Sequence, residues 1–304
     1  MSWWQALVMG VVEGLTEYLP ISSTGHLILT AWLLGLDTDP ELRQATNTFN
    51  IVIQGGAILA VLWLYPRRVS QIFTGFGAAL KHRGVFGGKA QPLATLADTP
   101  RNGFRLAMNL LVAFLPAAIL GPLLDDWIDS KLMNVWPVVA ALFVGGAGMI
   151  GFARLRRVRR AAASGLELEN LTWQMALAIG ALQCFAMWPG TSRSMMTIVA
   201  ALLLGLRPRA AAEFSFLLGL ITLGAATAYK AVSAGDSMLE HIRTDTLAIG
   251  LVAAAISAAV AMKFFVTVLV RYGMAPFGWY RIALSIAFVL AVLAGHEVAS
   301  ATGE

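Results

Sequence analysis

Charged side chains are scarce in this chain of 304 residues, of which Asp, Glu, Lys and Arg together make up only 13%. Soluble domains carry about 25% charged and about 45–50% apolar residues, whereas 58% of this chain is hydrophobic. A large water-facing surface needs more charge than this, so the composition excludes a large soluble protein. At roughly 20 residues per crossing, the length allows roughly eight membrane segments with short loops. We therefore predict a polytopic membrane protein.

Cysteine is nearly absent, since Cys184 is the only one. No disulfide can form within the chain, so the fold does not need an oxidising compartment. Acidic residues are fewer than basic ones: the chain has 17 Asp and Glu and 22 Lys and Arg, which gives a net charge of +5. In a membrane protein, basic cytoplasmic loops explain such an excess, and no nucleic acid partner is predicted.

Six apolar stretches approach the length of a membrane crossing: residues 47–65, 106–124, 135–153, 211–232, 246–270 and 280–295. Two more apolar regions are broken: 3–19 and 27–36 flank the break 20–26, and 173–188 and 195–206 flank the break 189–194. The short return arms cannot cross a core of about 30 Å at about 1.5 Å per residue. The pattern predicts an all-α protein with six transmembrane helices and two re-entrant helix hairpins. We call 20–26 the first tip and 189–194 the second tip.

The loops orient the chain by their charge. Segments 67–105, 154–160 and 207–209 are basic and should be cytoplasmic, whereas 37–41 and 125–129 are acidic and should lie outside. The first hairpin then enters from the outside and the second from the cytoplasm. Their tips are expected to meet near the membrane midplane.

That arrangement predicts an inverted repeat. Shifting the sequence by 170 residues places Trp3 on Trp173, Gly10 on Gly180 and Ser22 on Ser192. We predict one integral membrane domain over residues 1–304, with repeat 1 at about 1–153 and repeat 2 at about 173–295. In such folds the site lies at the repeat interface.

Two carboxylates interrupt the first hairpin. Glu13 and Glu17 are four residues apart, so they share a helix face. Charges inside an apolar helix are costly and usually face a working cavity. Their predicted partner is a divalent cation, which prefers oxygen ligands, or the guanidinium of Arg193. A purely structural ion pair between Glu17 and Arg193 is the alternative.

The first tip combines hydroxyls, a glycine and a histidine, namely Ser22, Ser23, Thr24, Gly25 and His26. Ordinary helix capping explains one hydroxyl but not the whole set. Free backbone N–H groups at a helix start form an anion site. Because Gly25 has no side chain, the backbone there can come close to the anion. His26 is predicted to act as general base or nucleophile.

The second tip supplies a cation and more hydroxyls, with Gly190, Ser192, Arg193 and Ser194 in the tip and Thr197 after it. The planar fork of Arg193 suits two phosphate oxygens. Capping plus a structural ion pair is again the alternative. Together, the two tips fit a phosphoryl group bound inside the bilayer.

The sequence at both tips, Glu13–His26 and Pro189–Ser194, resembles the motifs of the undecaprenyl-pyrophosphate phosphatase family, the bacterial bacitracin-resistance proteins. The likeness covers nearly the whole chain. It implies hydrolysis of undecaprenyl pyrophosphate to undecaprenyl phosphate and inorganic phosphate. This reaction recycles the lipid carrier for cell-wall synthesis and confers bacitracin resistance. The resemblance also implies a bacterial plasma (inner) membrane location, a site open to the periplasmic side, and Mg²⁺ or Ca²⁺ as cofactor.

By motif, the resemblance carries functional roles onto Glu13, Glu17, Ser22, Ser23, His26, Ser192, Arg193 and Thr197. We assign catalysis to Glu17, Ser23, His26 and Arg193, and the metal to Glu13 and Glu17. Substrate binding is assigned to Ser22, Thr24, Gly25, Gly190, Ser192, Ser194 and Thr197. The attacking group stays open between serine, histidine and water. Asn50 departs from the pattern because an acidic residue is expected there. The expected partners are the lipid substrate and membrane lipids, and a homodimer is left open.

Two other functions fit part of the pattern. Residues 23–26 loosely resemble a His motif of the type-2 phosphatidic-acid phosphatases, but the next histidine after Arg193 is His241, too far for their second motif. A transporter or flippase of a phosphate-bearing polyprenyl lipid is the other alternative, because inverted repeats and midplane sites are transporter features.

Overall fold

The computed structural model describes residues 1–36, 39–81, 100–132, 135–155, 158, 160 and 163–293. Within these ranges the secondary structure is helical, apart from short turns and one isolated bridge between Leu166 and Leu206. Six of the helices are long and apolar enough to cross a membrane. The prediction of an all-α polytopic membrane protein is confirmed.

The helices are α1 (Trp3–Glu17), α2 (Ser23–Leu33), α3 (Pro40–Leu64), α4 (Pro66–Lys81), α5 (Pro100–Leu132), α6 (Val135–Ala153), α7 (Trp173–Gln183), α8 (Arg193–Leu203), α9 (Pro208–His241), α10 (Thr244–Tyr272) and α11 (Ala275–Leu293). The candidate spans are α3, α5, α6, α9, α10 and α11. Helix α3 begins earlier than predicted because Asp39 caps it, accepting a hydrogen bond from the backbone of Leu42, and Pro40 stands in its first turn.

Both hairpins have the predicted helix–break–helix form, but the breaks lie earlier in the sequence than predicted. Helix α1 ends at Glu17, and α7 ends at Gln183, where a short 3-10 helix, Cys184–Met187, follows it. Helix α2 begins at Ser23, so Thr24, Gly25 and His26 lie in its first turn rather than in the break. Helix α8 likewise begins at Arg193. The prediction was wrong about these ends because small polar residues are favoured at helix starts, where they need not interrupt the helix.

The two hairpins share local backbone features at the offset of 170 residues. Ser22 and Ser192 both precede a return helix and have φ of 72° and 77°. Gly35 and Gly205 both follow one, with φ of 65° and 98°. The division into repeats 1–153 and 173–295, and the depth of the hairpins in a membrane, stay predictions.

Each long hairpin arm packs closely against a spanning helix. A side chain at Gly10 in α1 would collide with the backbone of Gly250 in α10, and one at Gly180 in α7 would collide with Ala113 in α5. Small residues allow such close approach between membrane helices. Consequently, the arm of the first hairpin is held by a helix from the second half of the chain, and the converse holds for the second hairpin.

Basic residues from distant segments gather at one end of the bundle. Arg68 in α4 forms ion pairs with Glu213 in α9 at 2.7 Å and with Glu169 at 2.8 Å. Burial lowers the pKa of Arg68, but the charges and hydrogen bonds of Glu213 and Glu169 outweigh it and raise this pKa above its ordinary value. We call this end of the bundle, which carries Arg67, Arg68, Arg209 and Lys263, the basic end. Glu41 and His241 are paired at the opposite end of α3.

The predicted orientation also rests on residues outside the described part of the chain, namely Asp37, Arg83, Lys89, Arg156, Arg157 and Arg159, and the side chains of Asp125, Asp126 and Asp129 are not described. Which end faces the cytoplasm therefore stays a prediction.

Candidate active site

A cavity of about 160 Å³ lies between the two tips. We call it the tip cavity. Its lining comes from both tips and from α1, α3, α9 and the end of the α7 arm: Glu17, Ser22, Ser23, Thr24, Gln54, Ala186, Gly190, Ser192, Arg193 and Leu223. At about 30 Å³ per water molecule, it holds roughly five waters, which is the scale of a phosphate group and its ligands.

Glu17 joins the two tips inside this cavity. Its Oε1 accepts a hydrogen bond from Nη2 of Arg193 at 3.1 Å, and its Oε2 accepts one from Oγ of Ser23 at 2.6 Å. The carboxylate and the guanidinium are 5% and 11% exposed, so water screens the pair weakly. A hydroxyl held this close to a carboxylate has the geometry of a nucleophile beside its general base.

The Arg193 guanidinium has one nitrogen, Nε, without a hydrogen-bond partner. Its Nη1 donates to the backbone oxygen of Ser215 at 2.8 Å, and its carbon lies 5.3 Å from the centre of the Tyr18 ring. Its Nε is buried and has no hydrogen-bond partner. An unmet buried donor costs about 1–3 kcal/mol, so this group favours a ligand oxygen.

Glu13, one turn before Glu17, is completely buried. Neither of its carboxylate oxygens has a hydrogen-bond partner. A buried carboxylate without a partner is costly, so its environment favours a bound cation or a proton. The part of the chain that the structure describes contains no group of three or more His, Cys, Asp or Glu that could hold a metal. Two carboxylates still suffice for Mg²⁺, which keeps several waters and binds substrate phosphates.

His26 is the last residue of the first tip, but it is not among the residues that line the tip cavity. Its Nδ1 is 2.7 Å from the backbone oxygen of Ser22, so Nδ1 carries the proton. Its Nε2 is 2.8 Å from the Tyr280 hydroxyl, which therefore donates to it, and the two rings stack with centroids 5.6 Å apart. Both nitrogens of His26 are engaged, and neither contacts Glu17 or Ser23 in a hydrogen bond.

Three further predicted substrate ligands line the tip cavity. Ser22 and Ser192 occupy the left-handed backbone region, which is rare for residues other than glycine and costs about 1–3 kcal/mol. Ser192 Oγ accepts from the backbone N–H of Met195, whereas Ser22 makes no side-chain capping bond. Thr24 is the third. The hydroxyls of Ser22 and Thr24 can turn toward a ligand.

Two predicted substrate ligands, Ser194 and Thr197, hold the tips in place from outside the tip cavity. Ser194 is fully buried and donates to the backbone oxygen of Leu19 at 2.9 Å, which links the second tip to the first. Thr197, also fully buried, has its hydroxyl 2.7 Å from that of Ser215. Neither lines the tip cavity, so direct contact of these two with substrate stays a prediction.

The two tip glycines have different surroundings. Gly25 faces Leu142 of α6, whose Cδ1 would lie 3.4 Å from an added Cβ, so it packs against α6 and does not line the cavity. Gly190 lines the cavity with φ of 90°, and a Cβ there would meet the backbone oxygen of Val138 at 2.7 Å. The backbone position of Gly190 therefore requires glycine.

A second arginine, Arg281 in the second turn of α11, holds both tips. It is fully buried, and its guanidinium donates five hydrogen bonds to carbonyl oxygens, those of Pro20 (3.4 Å), Thr191 (3.1 Å), Gly190 (2.8 Å), Ala141 (2.8 Å) and Leu142 (3.3 Å). No carboxylate pairs with it among the residues described. Its donors fix the first tip, the second tip and α6 relative to one another.

Residues 6–287 match the protein family described as bacitracin resistance protein BacA. The chain belongs to this family. Among the curated relatives, an undecaprenyl-diphosphatase of Sorangium cellulosum (strain So ce56) is 45% identical over 93% of this chain and 84% of its own length. One of Pseudomonas putida (strain W619) is 39% identical over 94% of each chain. Undecaprenyl-diphosphatase 2 of Rhodospirillum rubrum is 38% identical over 96% of this chain and 95% of its own.

In this BacA family member, three residues that contact the site were not predicted from the sequence: Arg281, Tyr280 and Ser215. Arg281 carried a usable signal, because it is a charge at the start of the predicted span 280–295, and charges in spans are the criterion that singled out Glu13 and Glu17. Tyr280 and Ser215 carried none, since an interfacial Tyr and a Ser in a membrane helix are common residues.

Proposed function

We propose that this chain hydrolyses undecaprenyl pyrophosphate to undecaprenyl phosphate and inorganic phosphate, and so recycles the lipid carrier of cell-wall synthesis and confers bacitracin resistance. The observation that carries the proposal is Glu17, held between the Ser23 hydroxyl and the Arg193 guanidinium in the tip cavity. The relatives that match over nine tenths of the chain are named for this activity. The flippase alternative has no comparable support.

The geometry favours Ser23 as the attacking group. In the proposed first step, Ser23 Oγ attacks the terminal phosphorus while Glu17 accepts its proton. The bond from that phosphorus to the bridging oxygen breaks, and undecaprenyl phosphate leaves with the electron pair. Glu17 passes this proton to the departing phosphate. Water then attacks the phosphoserine while Glu17 takes a proton from it, the bond from phosphorus to Ser23 Oγ breaks, Glu17 returns the proton to that oxygen, and inorganic phosphate is released.

The remaining polar groups of the cavity bind and orient the diphosphate. Arg193 stabilises the charge on the transferred phosphoryl group, because its free Nε–H can donate to a phosphate oxygen. Ser22, Thr24 and Ser192 offer hydroxyls along the same cavity. His26 would have to leave Tyr280 before its Nε2 could attack or accept a proton, so Ser23 needs less rearrangement.

We also propose a divalent cation, Mg²⁺ or Ca²⁺, held by Glu13 and Glu17. The support is the pair of partnerless carboxylate oxygens on Glu13, one turn from the cavity. When bound, such a cation would neutralise negative charge on the diphosphate. Glu13 would keep the cation beside Glu17, and because Glu13 makes no hydrogen bond to Ser23, Glu17 would remain the base for the Ser23 hydroxyl.

An apolar groove of about 420 Å³ is the proposed site of the polyprenyl tail. It lies between α6 and the second hairpin, and its lining includes Val144, Phe152, Trp188, Thr191 and Met195. Thr191 lines the groove, while its neighbours on either side in the second tip line the tip cavity. A lipid with its diphosphate in the cavity could therefore lay its chain in the groove with a short crossing at the second tip.

The proposed location is the bacterial inner membrane, with the tip cavity reached from the periplasmic side. The six spans support a multi-pass membrane protein, and the concentration of Arg side chains at the basic end supports a cytoplasmic position for that end. The homodimer stays a prediction, which light scattering in detergent can test.

The decisive experiment is release of inorganic phosphate from undecaprenyl pyrophosphate by purified protein. Ser23→Ala and Glu17→Gln should each slow release by about 100-fold or more, because each removes half of the nucleophile–base pair. Ser285→Ala is the matched control, since Ser285 is buried in α11 and bonds only to the backbone oxygen of Ile282. A folded wild-type protein that releases no phosphate but moves the lipid across vesicles would replace the hydrolase with the flippase.

A further inference from the structure

A second and larger cavity, of about 920 Å³, opens at the basic end of the bundle. We call it the basic-end cavity. It is bounded by the end of α3, the first turns of α4 and α9, and one side of α10, and it shares no lining residue with the tip cavity. The proposed hydrolysis gives it no role.

The charges that line the basic-end cavity do not balance. Four are basic, Arg67, Arg68, Arg209 and Lys263, and two are acidic, Glu167 and Glu213. Both acids are engaged, because Glu213 pairs with Arg68 and Glu167 pairs with Arg207. In the part of the chain described, no carboxylate pairs with the other three basic side chains, those of residues 67, 209 and 263.

Two of these cations stand where a helix disfavours them. Arg67 and Arg209 are the second residues of α4 and α9, which begin at Pro66 and Pro208. A helix N-terminus carries partial positive charge, so a cation there costs about 0.3–1 kcal/mol, whereas an anion is favoured by a similar amount. Neither helix has an acidic residue in its first turn. The two helix starts therefore add to the positive potential of the cavity.

The basic-end cavity also has an apolar side. Met262 and Val266 add apolar walls. Lys263 lies over the ring of Trp63 at 5.9 Å, and Trp63 is 71% exposed on the outer face of α3. A Lys beside an exposed Trp is typical of the membrane–water interface. Basic pockets between membrane helices at this level suit phosphate headgroups.

We propose that the basic-end cavity binds the phosphate group of an anionic membrane phospholipid through Arg67, Arg209 and Lys263. Tyr65 also lines the cavity, and burial together with the charge of Glu213 raises the pKa of Tyr65 to about 12, so its hydroxyl stays protonated. Free phosphate has the same chemistry, but the apolar walls and the exposed Trp63 beside Lys263 favour the lipid. The inference does not depend on the proposed hydrolysis.

Binding of short-chain phosphatidylglycerol to the purified protein in a neutral detergent tests this site. The triple variant Arg67→Gln/Arg209→Gln/Lys263→Gln should bind about 100-fold more weakly, since each basic residue contributes about 1 kcal/mol and about 1.4 kcal/mol is a factor of ten. The matched control is Arg154→Gln/Arg160→Gln/Arg271→Gln. It removes the same charge from residues that do not line the cavity and should bind like the wild type.

Three results would overturn the proposal. Equal loss in the control variant would mean general surface attraction, and unchanged binding in the triple variant would mean that the lipid binds elsewhere. Binding of inorganic phosphate but not phosphatidylglycerol would replace the lipid with a free anion. If the triple variant fails to fold, Lys263→Gln alone should weaken binding about fivefold. Phosphate release in neutral detergent should continue in all these variants, so failure of this site is distinct from failure of the proposed function.

Discussion

Replacing Arg281 by methionine tests whether the buried guanidinium aligns the two halves of the proposed active site. Methionine keeps much of the length and volume but has no donors and no charge. Two of the five carbonyls, those of Ala141 and Leu142, lie inside α6 and keep their helical partners. The carbonyls of Pro20, Gly190 and Thr191 lie in the tips and lose a charged donor.

The magnitude follows from these three tip carbonyls. Each buried carbonyl left without its donor costs about 1–3 kcal/mol, and removal of the charge itself returns some desolvation energy. A net destabilisation of about 3–5 kcal/mol is expected. Because the Glu17–Arg193 contact spans the two tips, a tip that shifts also separates the nucleophile and its base from the cation. We expect kcat to fall by about 100-fold or more, with a smaller change in KM.

The assay is phosphate release at saturating and at limiting substrate, with thermal unfolding measured on the same samples. Arg281→Lys is the matched variant: it keeps the charge and up to three donors and should recover part of the stability and part of kcat. The reasoning is refuted if Arg281→Met unfolds earlier yet keeps its kcat at a temperature where it is folded. In that case Arg281 supports the fold but does not align the tips.

The other predictions concern the neighbours of the cavity. Tyr280→Phe should lower activity by less than tenfold, because it removes one neutral hydrogen bond from His26, worth about 1 kcal/mol; a loss as large as that of Ser23→Ala would place His26 in the chemistry. Excess EDTA should stop phosphate release by the wild type and Mg²⁺ should restore it, whereas Glu13→Gln should need much more Mg²⁺; activity that is indifferent to EDTA in both contradicts the cation. Ser194→Ala should lower the free energy of unfolding by about 0.5–1.5 kcal/mol, since it removes one of the two hydrogen bonds to the Leu19 carbonyl, which keeps the backbone N–H of Ile21; an unchanged denaturation midpoint contradicts the bridging role.

The spans and the hairpins were predictable because bilayer length and hydropathy constrain them strongly. Spans need about 20 apolar residues, and Pro20 and Pro189 with their polar neighbours interrupt two regions that are otherwise apolar. The ends of the breaks were less predictable. His26 and Arg193 are polar residues that read as part of a break, yet each adopts helical backbone in the first turn of a return arm.

Candidate site residues were predictable where charge stands in an apolar segment. Glu13, Glu17 and Arg193 are of this kind, and the structure brings Glu17 and Arg193 into contact. The partners of Arg281 were not predictable, because they are backbone carbonyls from three separate segments, and backbone groups leave no mark on the sequence. The same holds for the Tyr280 hydroxyl, whose importance lies in its contact with His26 254 residues away.

The left-handed backbone of Ser22 implies a trade-off between stability and activity at the first tip. Glycine adopts this conformation without the steric cost that serine bears, and the Ser22 side chain makes no capping bond that glycine would lose. A Ser22→Gly protein should therefore be at least as stable as the wild type while it loses a hydroxyl from the cavity. At this position the chain gives up stability for a polar group that its fold alone does not require.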